Sequence, residues 1–278
     1  MKILVFSDHT ADMGHAQQSA RQTQNQKALS AHQGALVHHR MHLQRLSRSM
    51  RQSWSGKRYF AAIGQAIQYA FVFALGRPKP PELLPDEPNE TEKIYKAGRD
   101  GEQRVDEHLS GLDDNWTLIA GYCNARGEID RLLVGPSGVM AIEVKTINGH
   151  VSCDGDRWLF DKYDQYGNLV QTNKPLADRT GRSPSRQINE CADALQSRLR
   201  RLSILQNVQR GVVLAHPKSK IRHLNNITVN FVCTLDRLDI ERLAGQSTER
   251  LSAQQVASLL QIVRQDHDFH QRNRQRSR

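Results

Sequence analysis

Residues 129–146, IDRLLVGPSGVMAIEVKT, contain the pattern that decides the fold and the candidate site of this chain. Two aliphatic runs flank the connection GPSG, and glycine and proline between two such runs are typical of a β-hairpin. If Val134 pairs with Val139, the register places Asp130 directly opposite Glu143. Opposed Cβ atoms lie about 4.5–5.5 Å apart, so the two carboxylates would repel each other there.

Lys145 joins these two acids because side chains alternate along a strand, which puts Glu143 and Lys145 on the same face. Two close carboxylates need a shared proton or a cation, and their oxygen atoms suit Mg²⁺ or Mn²⁺. A neighbouring lysine can orient a water molecule or stabilise negative charge on a phosphate. The same residues also fit an exposed strand face with a cross-strand salt bridge, and the pattern alone leaves both interpretations open.

A third acid, Glu102, belongs to a helix predicted over residues 97–110. It precedes Val105 by three positions and Leu109 by seven, so it shares the core-facing side of that helix. An acid that faces inward needs a partner, which the carboxylate patch and its metal would provide. The alternative is a first-turn acid that interacts with the helix dipole and belongs to no site.

The pattern along residues 97–264 predicts a mixed α/β domain. Short apolar runs predict buried strands, and apolar residues at helical spacing predict helices. Further strands are expected at 116–120, 157–160, 211–215 and 228–234, and further helices at 184–202 and 252–264. The sequence has no GxxxxGK[ST] phosphate loop, which argues against a built-in NTPase motor, and it has no GxSxG or HExxH motif.

Three short strings, GRDGE at 98–102, GEID at 127–130 and GVMAIEVK at 138–145, resemble the nuclease-related domain (NERD). That domain is similar to the PD-(D/E)XK nuclease superfamily, and the resemblance covers about residues 97–215. It implies a restriction-endonuclease-like core, in which a mixed sheet is flanked by helices. It also implies hydrolysis of phosphodiester bonds in DNA.

On the matching positions, the resemblance implies that Asp130 and Glu143 bind a divalent cation, Mg²⁺ or Mn²⁺. The carbonyl oxygen of Val144 would be a further ligand, and Glu102 would complete the metal shell. Lys145 would position or activate the attacking water molecule.

Gln187, near the start of the helix predicted at 184–202, resembles the glutamine often found on the second core helix of such nucleases. The tyrosine that some branches carry four residues later is absent, and Cys191 stands there. A polar residue in a first helical turn explains Gln187 equally well, so its assignment to the site stays open at this point.

Positive charge is concentrated between residues 174 and 222, where 11 Lys and Arg residues accompany three acids. Such clustering favours a nucleic-acid surface with salt-sensitive binding, and DNA is the expected partner. The residues expected to contact phosphate are Lys174, Arg179, Arg182, Arg186, Arg198 and Arg201. A non-catalytic module that binds nucleic acid through the same fold is the first alternative to a nuclease.

The N-terminal segment carries most of the formal net charge of +10. Residues 1–80 hold 11 Lys and Arg but only two acids, and such basic arms attract nucleic acid or acidic lipid. Residues 29–50 show a weak apolar stripe, which indicates a marginal helix or disorder. Residues 59–75 are uncharged, with 14 apolar residues in 17, and predict an apolar helix. This helix fits a short membrane span, a membrane-surface helix or a helix docked on protein, so a membrane-associated scaffold is the second alternative function.

These observations predict four regions: a basic arm over 1–76, a proline-rich linker over 77–96, a NERD-like domain over 97–264 and a basic tail over 265–278. The linker holds five of the nine prolines, a density typical of extended chain. The four cysteines are scattered, which fits a reducing compartment better than a disulfide scaffold. The expected location is therefore the cytoplasm, free or at the cytoplasmic face of a membrane.

Overall fold

A computed structural model describes residues 1–7, 9–85, 87–164, 166–244 and 250–276. The chain divides into two compact units. One contains Met1–Met13 together with Ile94–Arg278, and the other contains Gly14–Lys93. The larger unit carries both β-sheets and all the predicted catalytic residues.

The strands of the described chain form two sheets. In chain order the strands are β1 (Lys2–Val5), β2 (Thr117–Cys123), β3 (Glu128–Gly135), β4 (Gly138–Lys145), β5 (Gly149–Asp154), β6 (Arg157–Tyr163), β7 (Leu169–Pro175), β8 (Val208–Leu214), β9 (Lys220–Asn225) and β10 (Phe231–Thr234). The central sheet has the order β1-β2-β3-β4-β8-β10. β3 is antiparallel to β2 and β4, whereas the pairs β1–β2, β4–β8 and β8–β10 are parallel. The predicted α/β class with a mixed sheet is confirmed, and the architecture is consistent with a restriction-endonuclease-like fold.

The hairpin of β3 and β4 has the register that the sequence predicts, through the pair Arg131–Ile142. Gly138 adopts a φ of +119° at the turn, which glycine tolerates because it has no Cβ. The ladder ends at that pair, one position before Asp130 and Glu143. The two acids therefore lie where the strands begin to separate, and the Asp130 side chain is able to bond to the backbone of β4.

The second sheet has the order β7-β6-β5-β9. β6 is antiparallel to β5 and β7, and β9 is parallel to β5. The sequence predicted only part of β6. β7 is exposed along its whole length and β9 along most of it, so neither has the apolar pattern that indicates a buried strand.

The helices of the described chain are α1 (His9–Ser55), α2 (Tyr59–Leu75), α3 (Glu90–Leu109), α4 (Pro184–Arg201), α5 (Ile240–Ala244) and α6 (Ala253–Arg276), with a 3₁₀ turn over Leu235–Arg237. α4 begins where Pro184 predicts it. The prediction of extended linker is wrong for residues 90–96, which form the first turns of α3 after Asn89 accepts the N–H of Glu92 at 2.8 Å. The prediction of a separate basic tail is wrong for residues 265–276, because α6 continues through them and buries Asp266.

α3 and α4 pack on opposite faces of the central sheet. Leu133 belongs to the apolar cluster that contains Val105 of α3, whereas Leu132 belongs to the cluster that contains Ile188 of α4. Because side chains alternate along β3, Asp130 and Leu132 lie on the same face of the strand, the face toward α4. Arg131 and Leu133 lie on the α3 face, where Arg131 pairs with Glu102 and Asp106.

β1 corrects the N-terminal boundary of the predicted arm. Residues 2–5 pair in parallel with residues 117–120 of β2, and the Met1 amino group donates to the Leu112 carbonyl at 3.0 Å. Ser7 Oγ donates to the Gly121 carbonyl at 2.8 Å. The apolar run that opens the sequence is therefore a strand of the larger unit.

The smaller unit is mostly helical. α1 is a single helix of 47 residues, so the prediction of a marginal helix or disorder at 29–50 is wrong, whereas α2 has its predicted bounds. The proline-rich segment runs back along α1, where the Leu84 N–H donates to Asn25 Oδ1 at 2.8 Å and Arg21 forms an ion pair with Glu92 at 3.3 Å. No helix among the described residues has both the length and the apolar character that a membrane crossing requires.

Candidate active site

A cavity of about 350 Å³ lies at the carboxyl end of β4, and side chains from β3, β4, α3 and α4 line it. It is named the acidic cavity here because several carboxylates face it. The predicted catalytic side chains that line it are Glu102, Asp130, Glu143, Lys145 and Gln187. The structure therefore brings together five residues that are spread over three separate segments of the sequence.

Glu143, Lys145 and Gln187 form a chain of hydrogen bonds across this cavity. The Lys145 ammonium donates to Glu143 Oε1 at 2.6 Å and to Gln187 Oε1 at 3.2 Å. The Gln187 side chain in turn donates to the Arg182 carbonyl at 2.9 Å, which fixes the orientation of its amide. Gln187 thus contacts Lys145. A residue that only occupied a first helical turn would not need this contact.

Asp130 has a different partner from the one that strand pairing alone would give. Its Oδ2 accepts the backbone N–H of Val144 at 2.7 Å, just beyond the end of the β3–β4 ladder. This bond replaces the next rung of the ladder and holds the Asp130 carboxylate close to β4. The role of the Val144 carbonyl as a metal ligand stays a prediction.

Burial controls the protonation of this group of residues. It raises the pKa of Asp130, and it raises the pKa of Glu143 to about 7, where the nearby Asp130 charge adds to the effect. Burial alone would lower the pKa of Lys145, but Glu143 and Asp130 outweigh it and the pKa is raised. One lysine therefore only partly compensates two buried acids, and a further cation would stabilise their ionised forms.

Arg131 is a part of the site that the sequence did not predict. It is only 5 % exposed, and its Nη1 donates to Glu102 Oε2 at 3.1 Å and to the Asp130 carbonyl at 2.7 Å. Its Nη2 also donates to Asp106 Oδ2 at 2.9 Å. The guanidinium thereby attaches α3 to β3 and holds Glu102 beside the cavity. The available signal was a charged residue within an otherwise aliphatic strand.

The acids of the cavity fit a hard divalent cation. Among the described residues, no three histidine, cysteine or acidic side chains lie close enough to surround a metal ion by themselves. Mg²⁺ needs no such cage, since it commonly binds one or two carboxylates and keeps water molecules or substrate oxygens as its other ligands. Asp130 and Glu143 are two oxygen donors in one cavity, so they suit Mg²⁺ or Mn²⁺ better than a closed zinc site.

Two of the six basic residues predicted to contact nucleic acid line the acidic cavity, namely Arg179 and Arg182. Arg182 forms ion pairs with Asp178 at 2.8 Å and with Glu190 at 3.3 Å, so much of its charge is already compensated. Arg179 donates to the Tyr95 hydroxyl at 3.0 Å.

The other four predicted contacts lie away from this cavity. Arg186 is paired with Glu190, and Lys174 lies over the ring of Phe160. At a rise of 1.5 Å per residue along α4, Arg198 lies about 16 Å beyond Gln187, and Arg201 lies about 21 Å beyond it. The structure therefore does not gather the six residues into one surface.

A second cavity, of about 750 Å³, was not predicted from the sequence. It is named the basic cavity for the side chains that line it, which include Arg104, His108, His216, Lys220 and Arg237. They come from α3, from the segment after β8 and from the 3₁₀ turn after β10. The segment after β8 belongs to the basic stretch 174–222, but the residues from α3 and the 3₁₀ turn stand among acids, so composition did not indicate a cavity.

The fold and the acidic cavity define an α/β protein whose mixed sheet carries two carboxylates and a lysine at one edge, and the fold is consistent with a restriction-endonuclease-like architecture. Comparison with protein families agrees with this class: the model of the nuclease-related domain, NERD, matches residues 97–215. The PD-(D/E)XK superfamily is its general context. Searches of the curated proteins and of the solved structures found no match.

Proposed function

We propose that this protein is a metal-dependent nuclease that hydrolyses DNA phosphodiester bonds at the acidic cavity. One observation carries the proposal: Asp130, Glu143 and Lys145 line one cavity, and Gln187 holds the lysine at 3.2 Å. The match of residues 97–215 to a nuclease-related domain supports the same class of activity.

Asp130 and Glu143 would hold Mg²⁺ or Mn²⁺, with the Val144 carbonyl as a further oxygen donor, whereas Glu102 would reach the ion only through water. The bound ion would lower the pKa of its water molecule and stabilise negative charge on the phosphate. Arg131 would keep Glu102 in position through the 3.1 Å bond between them. One bound cation would therefore stabilise both the ionised acids of the cavity and the anionic nucleic-acid substrate.

Lys145 would act by its charge. Its raised pKa keeps the ammonium protonated at neutral pH, so it would stabilise the phosphate or orient a water molecule and would not accept a proton. The contacts to Glu143 and Gln187 fix its position before substrate binds.

Cleavage of supercoiled plasmid by the full-length protein, with Mg²⁺, Mn²⁺ or EDTA, tests the proposal. We expect cutting that needs metal and falls at least about 100-fold in Lys145→Ala. Lys162→Ala is the matched control, since this lysine is exposed on β6. Equal cutting by Lys145→Ala and the wild type would contradict the site. DNA binding without any cutting would favour a non-catalytic nucleic-acid-binding module.

A further inference from the structure

The basic cavity lies at the same edge of the central sheet as the acidic cavity. β4, β8 and β10 are parallel neighbours, so their carboxyl ends at Lys145, Leu214 and Thr234 share one edge. Open α/β sheets commonly bind ligands outside the carboxyl ends of their strands. Lys145 lines the acidic cavity, whereas the residues that follow β8 and β10 line the basic cavity.

Backbone contacts show that the two cavities are neighbours. The Ala215 N–H donates to the Lys145 carbonyl at 2.9 Å, so the segment that lines the basic cavity begins beside the site lysine. α3 contributes Glu102 to one cavity and Arg104 to the other. A Cβ at Gly101 would lie 3.4 Å from the Ala215 Cβ, so α3 packs directly on this edge.

Among the described residues, three cations of the basic cavity have no carboxylate within ion-pair distance. Within the described residues, no ion pair involves Arg104, Lys220 or Arg237. Asp236 is the one acid among the described lining residues. The described lining therefore carries more positive than negative charge, which favours an anionic ligand.

His216 adds a hydrogen-bond donor to this cavity. Nδ1 of His216 accepts the Lys218 N–H at 3.1 Å, so its ring proton is on Nε2. Burial lowers the pKa of His216, and the Arg104 charge adds to this effect, so the ring is a neutral donor at pH 7. Uncompensated guanidinium groups with further N–H donors are suited to phosphate oxygens.

We propose that the basic cavity binds phosphate groups of the DNA strand beside the bond that is cleaved in the acidic cavity. The inference rests on the proposed nuclease function for the identity of its ligand. It assigns phosphate binding mainly to Arg104 and Arg237, which the sequence did not single out, and less to the arginines at the end of α4.

Binding of a fluorescent DNA duplex to the full-length protein in EDTA tests this site without cleavage. We expect Arg104→Gln/Arg237→Gln to weaken binding about tenfold or more and to reduce the slope of log K against log salt by about two. The charge-matched control, called the α4 control, combines Arg200→Gln at the far end of α4 with Arg272→Gln in α6, both at exposed positions. If the double variant unfolds, Lys220→Gln, a single substitution at an exposed position of the same cavity, is measured in its place.

The outcomes separate this inference from the proposed activity. Weaker binding by the cavity variant alone supports the phosphate site even if the wild type never cuts plasmid. An unchanged salt slope, or an equal loss in the α4 control, overturns the site in favour of general charge attraction. Plasmid cutting with normal binding by the cavity variant would leave the nuclease in place and remove only this inference.

A second inference comes from α2 and does not depend on the nuclease. The less exposed positions of this helix form one stripe, Ala62, Gln65, Tyr69 and Val72, and Gln65 donates to Ser49 of α1 at 2.8 Å. The opposite face is apolar and exposed. It consists chiefly of Phe60, Ile63, Ile67 and Phe71, which are 94 %, 53 %, 67 % and 65 % exposed. The helix thus turns a narrow stripe that includes a glutamine toward the protein and most of its large apolar side chains outward, which is the reverse of a helix that meets water.

Charge indicates what covers this face. Residues 13–81 contain no aspartate or glutamate, and Lys57 and Arg58 precede α2 while Arg77 and Lys79 follow it. An apolar helical face between basic residues matches the acyl chains and anionic headgroups of a phospholipid surface. We infer that α2 binds anionic membrane surfaces and lies in the interface plane.

Flotation of the full-length protein with vesicles tests this inference. We expect binding to phosphatidylglycerol–phosphatidylcholine vesicles that weakens with salt, and little binding to phosphatidylcholine alone. Phe60→Ser/Phe71→Ser should reduce binding more than about tenfold, because burial of each phenylalanine is strongly favourable. Phe269→Ser, at an exposed phenylalanine of α6, is the control. No vesicle binding, or a dimer in sedimentation that Phe60→Ser/Phe71→Ser abolishes, would overturn it in favour of a second copy.

Discussion

The two cavities at the carboxyl edge of the central sheet differ in how their charges are compensated. In and around the acidic cavity, Lys145, Arg131 and Arg182 each have carboxylate partners within 3.3 Å. Among the described cations of the basic cavity, Arg104 and Arg237 have none. The first set of charges is organised around buried acids that need a cation, and the second is open to an anion. A phosphodiester with a metal ion satisfies both.

The largest expected effect is on catalysis. Asp130→Asn keeps the acceptor for the Val144 N–H but removes a charge from the proposed metal site, so we expect plasmid cutting to fall more than about 100-fold. Asp268→Asn, at an exposed acid of α6, is the matched control. Cutting by Asp130→Asn at the wild-type rate would show that the acidic cavity is not the catalytic centre.

A paired and an unpaired arginine should differ strongly in their contribution to stability. Arg131→Leu removes the buried guanidinium that pairs with Glu102 and Asp106, and we expect it to lower the free energy of unfolding by about 2–4 kcal/mol. Arg237→Leu, at an exposed arginine of the basic cavity, should change it by less than about 0.5 kcal/mol. Urea unfolding of both variants measures the difference. If both variants lowered the free energy of unfolding equally, the proposed difference in charge compensation between the two cavities would be wrong.

The sequence predicted those parts of the site that depend on local pattern. The GPSG turn and strand alternation fix the register of β3 and β4, and this register alone brings Asp130, Glu143 and Lys145 together. The start of α4 follows from Pro184 and the apolar spacing behind it. These features depend on residues that are close in the sequence, so one segment contains all the information.

The sequence did not predict the contacts that join distant segments of the chain. The pairing of Arg131 with Glu102 and Asp106 depends on where α3 packs, and no single segment specifies it. β1 is four residues long and pairs with a strand more than 100 positions away. The basic cavity is likewise assembled from three distant segments, and only the one after β8 is strongly basic by itself.

In metal-free protein, the acidic cavity should make stability depend on pH. The folded pKa of Glu143, about 7, lies above its ordinary value of 4.5, and that of Asp130 is also raised. The stability that these groups provide when protonated is therefore present below about pH 4.5 and is lost as the pH rises to about 7. Asp130→Asn should raise the free energy of unfolding in EDTA by about 1 kcal/mol at pH 8 and by less at pH 5. Urea unfolding at both pH values measures this, and a destabilised variant at pH 8 would contradict it.

The smallest effect should come from the cap of α4, which positions Gln187 in the acidic cavity. The Ser183 hydroxyl accepts the Arg186 N–H at 3.2 Å, and we expect Ser183→Ala to cost about 1 kcal/mol of stability. Because this end of α4 lines the acidic cavity only, plasmid cutting should fall while DNA binding in EDTA stays within about twofold of the wild type. Ser258→Ala, at an exposed serine of α6, is the control. If Ser183→Ala reduced cutting and binding together, the α4 cap would support both cavities, which would contradict this prediction.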